Sequence, residues 1–229
     1  MTALLATLVV FMFHRVAPDV PANAISRALT VPVTAFEEEL DGLQRRGIRT
    51  YTAAEAARAL LDHKRVDGVV LTFDDGRSDG YDYILPALRK RGMHGTFYVN
   101  SGTIDGVFHM TWRQLRELRA DGNEVGCHGA HHLDLSTLTR AEQTKEIGDC
   151  LDKVAAHAGA RPATYAYASG KYDATTLALL RGFGILAAVT EHYGTVHDMH
   201  DALEWPRVRV DRDTPVSAFE SAAEEARPR

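Results

Sequence analysis

The chain has 229 residues, 45% hydrophobic and 25% charged, with 31 acidic and 26 basic side chains and a formal net charge of −5. Length and composition predict one domain with a substantial core, and the acidic balance gives no reason to expect a nucleic-acid partner. With no linker, low-complexity run or internal repeat, residues 1–229 read as a single unit, its core at about 8–210 and a polar tail at 211–229.

The first predicted element is the apolar run Leu8 to Phe13, a strand that ends in His14. No basic region precedes it and no small-residue cleavage site follows, so it reads as structure rather than as an export signal or a membrane span. Helix starts are marked by capping-box patterns at Thr34-x-x-Glu37, Thr52-x-x-Glu55, Thr111-x-x-Gln114 and Thr139-x-x-Glu142. Gly47, Gly92 and Gly122 read as helix stops. Further strands are predicted at Val69 to Phe73, Thr96 to Val99, Asn123 to Cys127, Thr164 to Tyr167, Ile185 to Val189 and Arg207 to Val210. Strands alternating with helices in this way predict an α/β fold with a parallel barrel. Glu220 to Glu225 lie in the polar tail, as a terminal helix or a frayed end.

The segment with most chemistry is Thr72-Phe73-Asp74-Asp75-Gly76. Neighbouring side chains on a strand point to opposite faces, so both aspartates serve one site only if the strand ends there, and Gly76 permits that turn. Two carboxylates at a strand end suit a site that binds a cation and moves a proton; a plain Asp-Gly turn is the other reading. The second constellation is Cys127-His128-Gly129-Ala130-His131-His132. His128 and His132 are four residues apart, so one helical turn would bring both imidazoles to one side, with His131 out of phase. Two imidazoles and a carboxylate leave a coordination position open, as a catalytic zinc site requires. Cys127 and Cys150 are too few for a disulfide framework, and Cys127 is read first as a small buried hydrophobe and second as a minor ligand candidate. His192, His197 and His200 with Asp198 and Asp201 read as a solvated loop.

On these motifs the chain resembles the polysaccharide deacetylases of carbohydrate esterase family 4. Thr72 to Gly76 match the family's first motif without change, and His128 and His132 fall on the ligand positions of its second. Gly95-Thr96-Phe97-Tyr98-Val99 and Met110-Thr111-Trp112 also look like the family, and the resemblance runs from about Val9 to Val210. It implies an irregular, incomplete (β/α)7 barrel. It implies Asp74 as catalytic base and Asp75, His128 and His132 as ligands of a divalent metal, with Zn2+ first and Co2+, Ni2+ or Fe2+ as alternatives. The family's usual C-terminal Leu-x-His acid has no good match after the last strand. The start of the chain instead looks like the circularly permuted poly-N-acetylglucosamine deacetylase branch, which makes His14 the candidate acid.

The third motif departs from the family. Tyr165-Ala166-Tyr167-Ala168-Ser169-Gly170 keeps the strand and the glycine, but Ala168 and Ser169 stand where relatives carry proline and an aromatic residue. Alignment makes the Ser169 backbone N–H the candidate oxyanion donor, a role that needs no particular side chain. Gly129 replaces a usual Ser or Thr. The implied activity is metal-dependent removal of N-acetyl groups from a glycan of N-acetylglucosamine type, with water activated on the metal as nucleophile. An amidase acting on another acylated sugar or small molecule and a glycan-binding pseudoenzyme are the alternatives. Arg207 is either an orienting group for Asp74 or a surface arginine at a strand start. Trp112 either stacks on a sugar or packs. Location stays open between the cytoplasm and the envelope or exterior where the family works, as does oligomeric state.

Overall fold

The computed structural model describes residues 7–196 and 202–227. The first half of the chain forms β1 (Thr7–Phe13), β2 (Arg15–Val16), α1 (Ala24–Ala28), β3 (Thr30–Val31), α2 (Val33–Arg45), β4 (Thr50–Tyr51), α3 (Ala53–Leu61) and β5 (Asp67–Phe73). A π-helical turn then leads into α4 (Leu85–Lys90), followed by β6 (Thr96–Val99), α5 (Trp112–Ala120), β7 (Glu124–Cys127) and α6 (Arg140–Ala158). The chain closes with β8 (Thr164–Ala166), α7 (Ala174–Gly182), β9 (Ala187–Val189), β10 (Val208–Arg209) and α8 (Val216–Glu224).

The strands pair in the order β10-β1-β5-β6-β7-β8-β9, and β4 joins the same sheet by pairing with β5. All of these pairings are parallel. The sheet curls into a half-barrel without closing; isolated bridges, Val189 to Trp205 and Leu8 to Val196, lie across the open side. The predicted (β/α)7-like barrel is therefore the observed architecture, and each predicted strand exists: β1 and β5 start earlier than expected, β6 keeps its bounds, and β7 to β10 are shorter. β2, β3 and β4 are too short to carry a hydrophobic period and were not predicted.

Alternation along β1 and β5 sorts the core into two layers. Leu8, Val10 and Val70 face inward with Tyr98, Ala166, Val189 and Trp205. Phe11, Phe13, Leu71 and Phe73 face outward to the helices. There Phe73 lies 4.8 Å from Phe97, 5.5 Å from Phe13 and 5.9 Å from Phe36, ring centre to ring centre. A phenylalanine so placed is worth about 3–5 kcal/mol against alanine, so the Phe of the Thr-Phe-Asp-Asp-Gly segment is a packing residue. Thr72 and Asp74 fall on the inner face by the same alternation.

Capping boxes form at Thr52, Thr111 and Thr139 as the sequence predicts. Thr34 is a correction: the cap falls two residues earlier, at Pro32, which makes no side-chain cap bond. A proline fixes φ in the helix-compatible range, which removes the need for the threonine there. An unforeseen box forms at Asp173 with Thr176. Gly47, Gly92 and Gly122 take positive φ just past helix ends, as expected of stops.

Two further corrections concern the C-terminus and the cysteines. The terminal helix expected as one reading of the polar tail exists as α8, but it is not peripheral: Phe219 is buried and stacks on Phe11 at 4.1 Å, while Glu220 pairs with Arg46. Its acidic sequence marks only the outer face. Cys127 is neither a free hydrophobe nor a ligand, because it is joined to Cys150 in a disulfide that ties the end of β7 to α6 across 23 residues. Closing a loop of that size stabilises by about 3 kcal/mol in the chain-entropy account.

Glu39 on α2 is buried, and neither carboxylate oxygen has a hydrogen-bond partner among the described residues. Burial, and secondarily the charge of Glu38, pushes its carboxyl up to about 8. The unfolded chain ionises it near 4.5, so the folded state binds the proton more tightly. Stability is then full below about pH 4.5 and falls as pH rises towards about 8. Replacing Glu39 by Met should remove this slope and raise stability at pH 8 by roughly 2–4 kcal/mol. Urea melts at pH 5 and pH 8 check it; an equal slope in both proteins would be the contrary outcome.

Candidate active site

The motif residues converge at the carboxyl ends of the strands, the face where parallel barrels carry chemistry. Phe13 pairs with Phe73 in register, and the Asp74 N–H donates to the Phe13 carbonyl at 3.0 Å. His14 and Asp74, the next residues of each strand, are thereby set side by side. Together with Gly76, Arg77 and Met110 they line a cavity of about 10 Å³, at the lower limit for holding one water. A larger cleft of about 290 Å³ opens at the opposite end of the strands, by Arg58, Arg119 and Glu124, and contains no motif residue.

Asp74 is buried and held by a buried arginine. Arg207 donates from Nη1 to Asp74 Oδ1 at 2.9 Å and from Nη2 to Oδ2 at 2.8 Å. Its Nη1 also reaches Thr72 Oγ1 at 3.1 Å, and Nε donates to the Thr190 carbonyl at 2.8 Å. Thr72 in turn donates to the Phe11 carbonyl. Arg207 is thus the orienting group, not a surface strand start. Burial alone would raise the Asp74 pKa, but the Arg207 charge, then His128 and the Arg207 hydrogen bonds, hold the carboxyl well below the usual range.

Asp75 turns away from Asp74 because both it and Gly76 take left-handed backbone, φ 76° and 70°. A side chain at 76 would meet Val99 at 3.1 Å, so glycine is required there twice over. Asp75 Oδ1 lies 3.7 Å from Nε2 of His128 and 3.7 Å from Nε2 of His132. One ligand atom from each of the three lies within 4.8 Å of the others. The helical turn expected for the two histidines is absent. After β7 the chain runs as a loop with Gly129 at φ 87° and His132 at φ 58°, and that loop sets the rings edge to face at 4.8 Å.

This arrangement fits a cation. The 3.7 Å separations are too long for hydrogen bonds and near the roughly 3.4 Å between two ligands of a tetrahedral ion with ~2.1 Å bonds. His128, buried, donates from Nδ1 to the Ala166 carbonyl at 2.8 Å, which leaves the Nε2 lone pair facing Asp75. Fixing the tautomer through the second ring nitrogen is what a metal-binding histidine needs. His131 points elsewhere, its Nδ1 on Glu146 Oε2 at 2.9 Å.

His14 is partly buried, and its Nδ1 has no hydrogen-bond partner among the described residues. Burial lowers its pKa, opposed by the charges of Asp74 and Asp75 and assisted by Arg207 and Arg209. Ser169 follows β8 in a tight turn and takes φ 52°, with Gly170 at φ 63°. Trp112 packs against the core and stacks on His157 at 5.1 Å. Of the loop histidines and aspartates, His192 binds Thr190 through its backbone, whereas His197, Asp198, His200 and Asp201 lie outside the described residues. Glu146, which flanks the histidine loop from α6, went unnoticed in the sequence, and Cys150 was noted without its tie to that loop. Their signal was a glutamate and a cysteine four apart on the buried face of one helix.

A model of the family described as polysaccharide deacetylase matches residues 62–188. The chain belongs to the polysaccharide deacetylase family. A putative polysaccharide deacetylase of Bacillus subtilis, YxkH, is 29% identical over 216 residues, 93% of this chain and 75% of that protein. Among solved structures, IcaB from Ammonifex degensii superposes with a TM-score of 0.83 at 27% identity, over 97% of this chain and 98% of that one. The Streptococcus pyogenes deacetylase PplD, solved with acetate, superposes with a TM-score of 0.89 at 24% identity, over 96% and 99%. The family match covers the aspartate and histidine motifs and begins after the first strand and its His14.

Replacing Arg207 by Met should strand a buried carboxylate and cost about 3–5 kcal/mol. In the variant, burial acts on Asp74 without the guanidinium, so its pKa rises and the acid limb of the deacetylation profile moves to higher pH. An unmoved acid limb in a folded variant would show that Arg207 does not govern Asp74.

Proposed function

We propose that this polysaccharide deacetylase is a metal-dependent N-deacetylase acting on a glycan of N-acetylglucosamine type. The observation that carries the reading is the placement of the Asp75, His128 and His132 ligand atoms within 4.8 Å of one another, next to an Asp74 kept ionised by Arg207. Asp75, His128 and His132 would hold the cation. The donor set suits zinc best and also accepts cobalt, nickel or iron. When bound, the cation supplies Lewis acidity, which polarises an amide carbonyl and makes water a better nucleophile.

The remaining chemistry belongs to the chain. Asp74 takes the proton from the attacking water, and its depressed pKa keeps it in the basic form throughout the neutral range. Arg207 fixes the orientation of both carboxylate oxygens, so the base needs no rearrangement before the transfer. The Ser169 backbone N–H is the donor assigned to the developing oxyanion. His14, beside Asp74, delivers a proton to the departing amine. Acetate and a free amino sugar are the products. The Cys127–Cys150 disulfide favours work in an oxidising compartment, at the envelope or outside the cell. Among the described residues no helix is long and apolar enough to cross a membrane.

Metal-stripped protein should release acetate from N-acetylglucosamine oligomers only after zinc or cobalt is restored, with the preferred linkage identifying the glycan. Metal-independent release, or none from any oligomer, would overturn the reading. Asp74→Asn should lower kcat by at least ~100-fold while metal uptake persists, as expected for loss of a general base. His14→Ala should lower kcat by ~100-fold or more on amide substrates. It should cost far less on an acetate ester with a good leaving group, which needs no acid. Equal losses on both substrates would remove His14 as the acid.

A further inference from the structure

The loop that carries His128 and His132 is held from the side by α6. Glu146, buried on that helix, accepts the His131 N–H at Oε1, 2.6 Å, and meets His131 Nδ1 at Oε2, 2.9 Å. Its backbone carbonyl accepts the Ala130 N–H at 3.2 Å. One turn further along α6, Cys150 is bonded to Cys127, the residue before His128. The carboxylate reaches the loop through space that only glycine leaves free: a side chain at 129 would begin 2.8 Å from Glu146 Oε1. Gly129 also takes φ 87° and His132 φ 58°, so the loop is bent at two places and needs an external hold to keep one shape.

We propose that Glu146 is a positioning residue for the cation site, fixing through His131 and the 129–131 backbone the turn that aims His132 at Asp75. The inference rests on the reading of Asp75, His128 and His132 as metal ligands. His132 is the most exposed member of the set, and its neighbour His131 is the residue Glu146 grips on both backbone and ring. His128 is secured separately, by the Ala166 carbonyl and by the adjoining disulfide. Loss of Glu146 therefore frees one ligand and leaves the other in place.

The test is cobalt binding, read by the visible absorption of the bound ion and by titration of the intact, metal-stripped protein. Glu146→Ala should weaken cobalt binding tenfold or more, the range seen when groups supporting metal ligands are removed, and should alter the absorption bands. Glu146→Gln, whose amide oxygen still accepts the His131 N–H, should recover most of the affinity. Wild-type affinity and spectrum in a folded Glu146→Ala protein would overturn the proposal. If that variant fails to fold, His131→Ala replaces it: a loss of affinity supports the proposal and an unchanged value overturns it. A wild-type protein that takes up no cobalt would overturn the metal reading and this inference with it.

Discussion

The catalytic end of the molecule depends on one buried ion pair. Arg207 lies just before β10, yet its guanidinium reaches past β1 to Asp74 and Thr72 on β5 and to the Thr190 carbonyl after β9. It therefore joins the two edges of a sheet where backbone pairing is limited to isolated bridges. Every polar atom of the pair has a partner, which is the condition under which a buried charge pair is tolerated. Such a pair contributes little net stability against a hydrophobic replacement of the same volume. Its physical effect is narrower: it keeps a buried carboxylate ionised and in one rotamer. That is a requirement of a proton-accepting group rather than of a fold.

What the sequence made legible follows from range. Strands β1 and β5 are continuous apolar runs because both faces are buried, and the Thr-Phe-Asp-Asp-Gly segment reads out its own alternation: Phe73 to the helix layer, Thr72 and Asp74 inward. The capping boxes at Thr52, Thr111 and Thr139 involve residues three apart, so they too are visible locally. Distant partners were not. The Cys127–Cys150 bridge depends on β7 packing beside α6, the choice between the two readings of Arg207 on strands far apart in the chain, and the burial of Phe219 on its stacking against Phe11 of β1. At Thr34 the local pattern misled, because proline at position 32 starts the helix first. Between His128 and His132 the spacing was informative and the reason for it wrong: a bent loop, not a helical turn, unites the rings.

Backbone strain is present where the candidate chemistry lies, as it also is at His63, Asp105 and Phe108. Among non-glycine residues with positive φ are Asp75, His132 and Ser169, each assigned a direct part in the reaction. Such conformations cost of order 1–3 kcal/mol apiece and persist only where the surroundings enforce them. Here the surroundings are the paired strand ends, the aromatic layer around Phe73 and the hold of α6 on the histidine loop. These three dihedrals coincide with motif positions, although the motifs say nothing about dihedrals.

The altered third motif is the feature that most invites the idea of a lost activity, yet the turn it forms is held in place. Proline would have stiffened the turn after β8; its absence at Ala168 leaves that rigidity to other contacts. Tyr167 is buried, donates to the Leu203 carbonyl at 2.8 Å, and stacks on Tyr172 at 4.2 Å. Tyr172 donates to Glu204 at 2.8 Å, and the Gly170 and Lys171 N–H groups close the turn on Tyr167 and Ala168. A side chain at Gly170 would press on Glu191 at 3.0 Å, so the glycine keeps the turn close to the next strand. The backbone at Ser169 is thus fixed from both sides by tyrosines in place of a proline ring. An oxyanion donor on the main chain requires a held backbone and not a given side chain, so the residues at 168 and 169 are compatible with the role proposed for the Ser169 N–H.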